Sequence, residues 1–188
     1  MTKRLGEKTI GYFENLGALQ KQQYAVLAVL FDFDGTLTHP GSLNLSEIRN
    51  IIGCPAGKPI LEYISSLPET ESASAMATLD AFELEAAGRA VPNDGAEELI
   101  SYLKAENIGM GIISRNTQAA IERAMRNFRQ TRMSDFQVII SRDAEILPKP
   151  HPHGILLAAE RMNVLPEQVM MVGDYIFDIQ AGKQAKTL

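Results

Sequence analysis

Asp32 and Asp34 stand two residues apart at the end of an apolar run, AVLAVLFDF over residues 25–33. If the run is a strand, its period of two turns both carboxylates to one face, and Gly35 lets the backbone turn away beside them. A carboxylate at position 32 without a counter-ion costs on the order of several kcal/mol in low-dielectric surroundings, so a cation is expected there. Asp-Gly-Thr is also ordinary turn chemistry, and that reading stands beside the first. Three further places carry polar groups of the same kind. Ser114 closes an apolar stretch and is followed by Arg115, Asn116 and Thr117 at the opening of a helix. A hydroxyl and unpaired backbone N–H groups there suit an anion, or plain capping. Lys149 is set between Pro148 and Pro150, and Asp174 follows Gly173, with Asp178 about one helical turn later. Carboxylates with room left for water and phosphate oxygens suit Mg²⁺.

These residues share a site only if the intervening elements bring them to one edge, and the patterning predicts that they do. Residues 25–33, 108–114, 136–140 and 169–172 read as short buried strands. Helical periods separate them: a stretch capped by Asp94 and ending near Asn107, residues 118–128 behind a Thr117 cap, and residues 154–162. A βαβαβαβ rhythm implies right-handed crossovers and a doubly wound, mostly parallel sheet with helices on both faces. Ligands in such α/β sheets sit beyond the carboxyl ends of the strands, where all the polar residues above fall. Residues 41–89 break the rhythm with three helix-like segments, 46–53, 59–67 and 69–88, and read as a helical insert above that edge. The catalytic core is thus expected from residues 25–40 and 90–188. Residues 1–24 read as an extension with one modest amphipathic helix, weakened by Gly11 and Gly17.

Composition removes several function classes. The 188 residues carry 18 basic and 23 acidic side chains, a net charge of −5 with no basic stripe, so nucleic acid is not an expected partner. The longest apolar run is seven residues, far short of the ~20 that cross a bilayer, so no membrane partner is expected either. Early acidic residues interrupt any secretory apolar region, and the single cysteine, Cys54, excludes an internal disulfide and Cys-rich zinc sites. A cytoplasmic location is the expectation.

Four segments, FDFDGTLT (31–38), IISRN (112–116), PKPHP (148–152) and VGDYIFDI (172–179), stand in the order that marks the haloacid dehalogenase superfamily. Over roughly residues 26–186 the chain resembles its phosphoglycolate-phosphatase and β-phosphoglucomutase branch, whose α/β core is Rossmann-like with a small α-helical cap. The resemblance implies an Mg²⁺-dependent phosphatase acting on a small phosphorylated metabolite. Asp32 would attack phosphorus and form an aspartyl-phosphate, with Mg²⁺ and Lys149 cancelling the repulsion between anions. Asp34 would protonate the leaving alkoxide and then activate water, and its backbone carbonyl would join Asp32 and Asp174 on the metal. Asp178 would hold a metal-bound water or Lys149 from behind. Ser114, with the backbone N–H groups of Arg115 and Asn116, would bind the phosphoryl oxygens. An acid at position 34 disfavours dehalogenation, because halide leaves without a proton. A phosphomutase using the same groups remains the alternative, with a non-catalytic binding protein as a third reading.

The chain departs from relatives at Arg115 and Tyr175, each expected to reshape the pocket rim, and at Ala185-Lys186, after which a last strand and helix are expected to be missing. Such an open edge would invite association. His151 and His153 read as exposed turn residues, Lys58 as an exposed turn lysine, and His39 as a candidate to reach substrate from the hinge of the insert.

Overall fold

The apolar run ending at Asp32 becomes the centre of a sheet. The computed structural model describes residues 25–188; the helix expected within residues 1–24 lies outside the described residues. In chain order the elements are β1 (Ala28–Phe31), α1 (Leu45–Ile52), α2 (Ile60–Ile64), α3 (Glu69–Ala87), α4 (Ala96–Ala105), β2 (Gly109–Ile113), α5 (Gln118–Met125), β3 (Val138–Ile140), α6 (His153–Arg161), β4 (Val169–Val172) and α7 (Ile176–Ala185). The strands lie in the order β3-β2-β1-β4, all parallel, with Phe31 level with both Ile112 and Val172.

Alternation along β1 explains why both faces are covered. Val29 and Phe31 pack with Ile100 and Leu103 of α4 and Ile121 and Met125 of α5. Ala28 and Leu30 pack with Ile155 and Ala158 of α6 and Ala181 and Ala185 of α7. Helices therefore cover both faces of the sheet, as the βα rhythm requires. Leu30, Phe31 and Phe33 are fully buried, each contributing roughly 1.5–3 kcal/mol, so the strand that presents Asp32 is firmly seated. The chain leaves β1 for β2 on one side while β4 lies on the other, so the order reverses at β1, where crevices form in such sheets.

Three strands are shorter than the stretches expected from sequence, β1 running from Ala28 to Phe31, β2 from Gly109 to Ile113 and β3 over three residues, whereas β4 occupies Val169–Val172 as expected. The expected cap at Asp94 is corrected. Gly95, at φ 78°, opens α4 without a side-chain cap, and the exposed Asp94 carboxylate lies 3.4 Å from His39 Nε2. Thr117 does cap α5, its Oγ1 accepting from the Ala120 N–H at 3.2 Å. Along the outer edge of β4, Leu188 donates to the Val169 carbonyl at 2.9 Å and accepts from the Met171 N–H at 3.2 Å.

Helices α1 to α3 gather around a small core of their own, built on Ile48, Ile60, Ile64 and Leu79. Asn44 caps α1 by accepting from the Glu47 N–H, while its amide donates to the Glu47 carboxylate. The chain enters and leaves this helical segment side by side. Thr38 forms an antiparallel bridge with Pro92, His39 N donates to the Val91 carbonyl at 3.0 Å, and Asn93 N donates to that of Leu37 at 2.9 Å. No helix among the described residues is long and apolar enough to cross a membrane.

Candidate active site

Beyond the carboxyl ends of the strands lies a cavity of about 400 Å³ whose lining includes Asp32, Asp34, Ser114, Arg115, Asn116, Lys149, Asp174 and Asp178. Asp32 follows β1, where its backbone N–H still donates to the Val172 carbonyl at 2.8 Å and fixes the side chain beside β4. Lys149, 4 % exposed, reaches in from the Pro148–Pro150 turn. Its ammonium donates to Asp32 Oδ1 at 2.6 Å and to Asp178 Oδ1 at 2.5 Å. Asp178 Oδ2 accepts from the Tyr175 N–H at 3.0 Å, so both oxygens of Asp178 are engaged within the protein.

Charge is short of balance here. Carboxylate oxygens of Asp32, Asp174 and Asp178 lie within 4.8 Å of one another, with one lysine among them. Burial pushes the Asp32 carboxyl above its ordinary pKa, the Lys149 charge pulls it back, and the Asp178 charge raises it again. Hard oxygen donors with a surplus of negative charge fit a divalent cation. Gly35 is what lets Asp174 come close: it sits at φ +83°, and a Cβ there would stand 2.2 Å from Asp174 Oδ2.

Asp34 is held apart from that group. Its Oδ2 accepts from the Asn116 side-chain amide and its Oδ1 from Thr38 Oγ1 at 3.5 Å. The carboxylate opens onto the crevice but is ringed by protein on its other sides, and this burial, with the charge of Asp32, pushes its pKa up to about 6, against the pull of the Asn116 hydrogen bond. The three-carboxylate group thus contains Asp178, whereas the side chain of Asp34 is turned to Asn116 and Thr38.

The loop after β2 supplies the opposite wall. Ser114 Oγ accepts from the Asn116 N–H at 3.1 Å. Arg115 bonds through Nη2 to both oxygens of Glu62 on α2, each at 2.8 Å, and its guanidinium lies 4.8 Å from the Phe177 ring centroid. Tyr175 lines the same cavity, edge-on to Phe177 at 4.9 Å. Among the lesser candidates His39 also lines it. Lys58 is exposed and donates to Ser66 Oγ at 3.0 Å, and His151 accepts from the His153 N–H at 3.1 Å on the exposed turn before α6.

Sequence reasoning missed a group of charges at the cavity's edge. Glu83 of α3 is buried and lines the cavity, and Arg142, just past β3, binds it in a two-pronged pair at 2.7 and 2.8 Å. Burial raises the Glu83 pKa, and its hydrogen bond from Arg142 and that residue's charge pull it down. Burial works against the charge of Arg142, but Glu83 and Asp80 more than offset it and hold the guanidinium pKa above its usual value. No local pattern marks such a pair, since its members are 59 residues apart.

Comparison with known proteins gives this geometry its context. The family model for the haloacid dehalogenase-like hydrolases matches residues 38–187, so Asp32 and Asp34 stand just ahead of the matched span. An uncharacterized hydrolase of Saccharomyces cerevisiae is 33% identical over 163 residues, 85% of this chain and 74% of that protein. The pyrophosphatase PpaX of Listeria monocytogenes is 38% identical over 96 residues, 50% of this chain and 43% of that protein, so the match spans less than half of the relative. A solved hydrolase from Pseudomonas syringae superposes with a TM-score of 0.74 at 19% identity, over 86% of this chain and 81% of that one, and shares the fold. With the family model and the yeast protein both matched across most of its length, this chain belongs to the haloacid dehalogenase-like hydrolase family.

Proposed function

We propose that this chain is an Mg²⁺-dependent phosphatase that hydrolyses a small phosphomonoester through an aspartyl-phosphate at Asp32. The observation that carries the reading is the ammonium of Lys149 bridging Asp32 and Asp178 in a cavity where Asp174 adds a third carboxylate. The cation, held by Asp32, Asp174 and the backbone carbonyl of Asp34, would supply Lewis-acid stabilisation of charge on the phosphoryl oxygens. Asp32 attacks the phosphorus in line, forming the Oδ–P bond as the ester P–O bond breaks. Lys149 favours the ionised form of Asp32 and orients it, and its own position is fixed by Asp178. Asp34, protonated over a wider pH range than an ordinary aspartate, donates its proton to the leaving alkoxide. The same carboxylate then accepts a proton from the water that attacks the phosphoenzyme, releasing inorganic phosphate and restoring both aspartates. Ser114 Oγ and the backbone N–H of Arg115 bind the phosphoryl oxygens, and the Asn116 amide aims Asp34.

Residues 41–89 act in this reading as a helical cap over a core of residues 25–40 and 90–188. Leu43, Ile60, Leu61 and Leu79 from that segment line the cavity, so its side chains select the leaving group. The test is phosphate release from a panel of small phosphomonoesters with Mg²⁺ and with EDTA, alongside product analysis. Free phosphate supports the reading; an isomerised phosphate ester with little free phosphate identifies a mutase instead, and turnover of nothing in the panel counts against both.

A further inference from the structure

We infer that Arg142 is a positioning residue for the loop 114–116, one that makes the seating of α3 and the shape of that loop a single arrangement. Its side chain is 13% exposed and does not line the cavity that holds Asp32, so any effect on chemistry passes through other residues. Nη1 donates to Glu83 Oε1 at 2.7 Å and to the carbonyl of Arg115 at 2.8 Å. Nη2 donates to Glu83 Oε2 at 2.8 Å and to Asp80 Oδ1 at 2.5 Å. The Arg142 backbone N–H donates to the Asn116 carbonyl at 2.8 Å. Two consecutive loop residues, Arg115 and Asn116, are thus held through one guanidinium and its own backbone.

The braced residues carry the groups the site uses. Ser114 Oγ is tied to the Asn116 N–H, and the Asn116 amide is on Asp34. A shift of the Arg115 and Asn116 carbonyls therefore moves the phosphoryl-binding hydroxyl and the partner of Asp34 together. Stability alone is a poor reason for the cluster, because a buried ion pair is worth little more than an apolar replacement of the same shape. Two acids on one guanidinium also leave a negative charge over. A planar fork with fixed donor directions does give geometry, which a lysine ammonium in the same place does not. Both acids come from α3, so the loop takes its working shape only with that helix docked.

The inference rests on the phosphatase reading, and its test separates the two. Wild type, Arg142→Lys and Glu83→Gln are compared for kcat and KM on an active ester, for affinity toward inorganic phosphate by calorimetry with Mg²⁺ present, and for melting temperature. In Arg142→Lys, kcat is expected to fall about 10- to 100-fold and phosphate affinity by a comparable factor. Half-saturation by Mg²⁺ should stay within about threefold of wild type, since Asp32 and Asp174 are not touched. If Arg142→Lys does not fold, Glu83→Gln, nearly equal in volume, must show the same paired loss. The double variant should be no worse than the worse single one, as for groups acting as a unit. A folded Arg142→Lys that lowers only the melting temperature, with kcat and phosphate affinity within about twofold of wild type, overturns this inference and leaves the phosphatase reading standing. A wild type that neither binds phosphate nor hydrolyses any ester overturns both.

Discussion

Gly35→Ala offers a direct test of how the acidic cluster is assembled. The position has φ +83°, where alanine costs roughly 1–2 kcal/mol relative to glycine. The new methyl would stand 2.2 Å from Asp174 Oδ2 and 2.7 Å from its Cγ, whereas ordinary contact begins at 3.4 Å. The carboxylate must therefore retreat by about 1 Å, when metal–ligand distances tolerate only about 0.2 Å. The expected result is a 10- to 100-fold rise, approximately, in the Mg²⁺ concentration needed for half-maximal phosphate release. Gly95→Ala is the control: its φ is +78°, nothing lies within 4 Å of the added methyl, and it carries the backbone cost only. Urea unfolding in EDTA should show comparable backbone losses in the two variants, with only Gly35→Ala losing metal affinity in calorimetric titration. Equal Mg²⁺ affinity in both would refute the argument that the glycine exists to admit Asp174.

Three other outcomes follow from the site. Asp32→Asn should lower turnover by about 10⁴-fold or more while the far-ultraviolet dichroism stays that of wild type, measured with the best ester in the panel. Asp174→Asn should raise the Mg²⁺ half-saturation at least about tenfold with a smaller loss of kcat at saturating metal, read from activity against metal concentration. Without metal, Asp34 binds its proton more tightly folded, at about 6, than unfolded, at 3.8, so the native state holds more protons and stability falls as pH rises through that window. Crevice water screens the group, so the stability of wild type relative to Asp34→Asn should drop by only about 1 kcal/mol between pH 4 and 6.5, measured by urea unfolding in EDTA. A difference that rises with pH would contradict the assigned environment.

Much of this site was legible in the residues themselves. An aspartate directly after a seven-residue apolar run and followed by Phe33 requires a counter-charge, and Lys149 supplies it. Strands separated by helical periods lead to a parallel sheet, and a parallel sheet sends every strand's carboxyl end to one edge. That is why Asp32, Ser114, Lys149 and Asp174 share one cavity despite their separation. What was not legible depends on packing. Whether Asp94 or Gly95 opens α4 turns on a local φ, and the pairs Arg142 with Glu83 and Arg115 with Glu62 form only because α2 and α3 settle against the loop after β2. Local patterning reports neighbours up to about four residues apart, so it cannot anticipate pairs of this separation. Spacing alone reads Asp178, four residues after Asp174, as another rim carboxylate; the family resemblance adds that it would hold a metal-bound water or Lys149, and its two oxygens are engaged by Lys149 and the Tyr175 N–H.

The bridged backbone segments through which the chain enters and leaves residues 41–89 carry a consequence for modularity. With His39 N on the Val91 carbonyl and Thr38 beside Pro92, the two ends of the segment are already neighbours, so bridging them with a short glycine-rich turn costs little closure entropy. The segment has an apolar cluster of its own, built on Ile48, Ile64 and Leu79, while α3 also packs against α5 and its Ala87 joins the core beneath the sheet. A replacement sequence spliced between the same two neighbouring ends would leave Asp32 and Lys149 on the core while presenting new walls to whatever enters, but it would have to supply acids in place of Asp80 and Glu83 to keep the loop after β2 in shape.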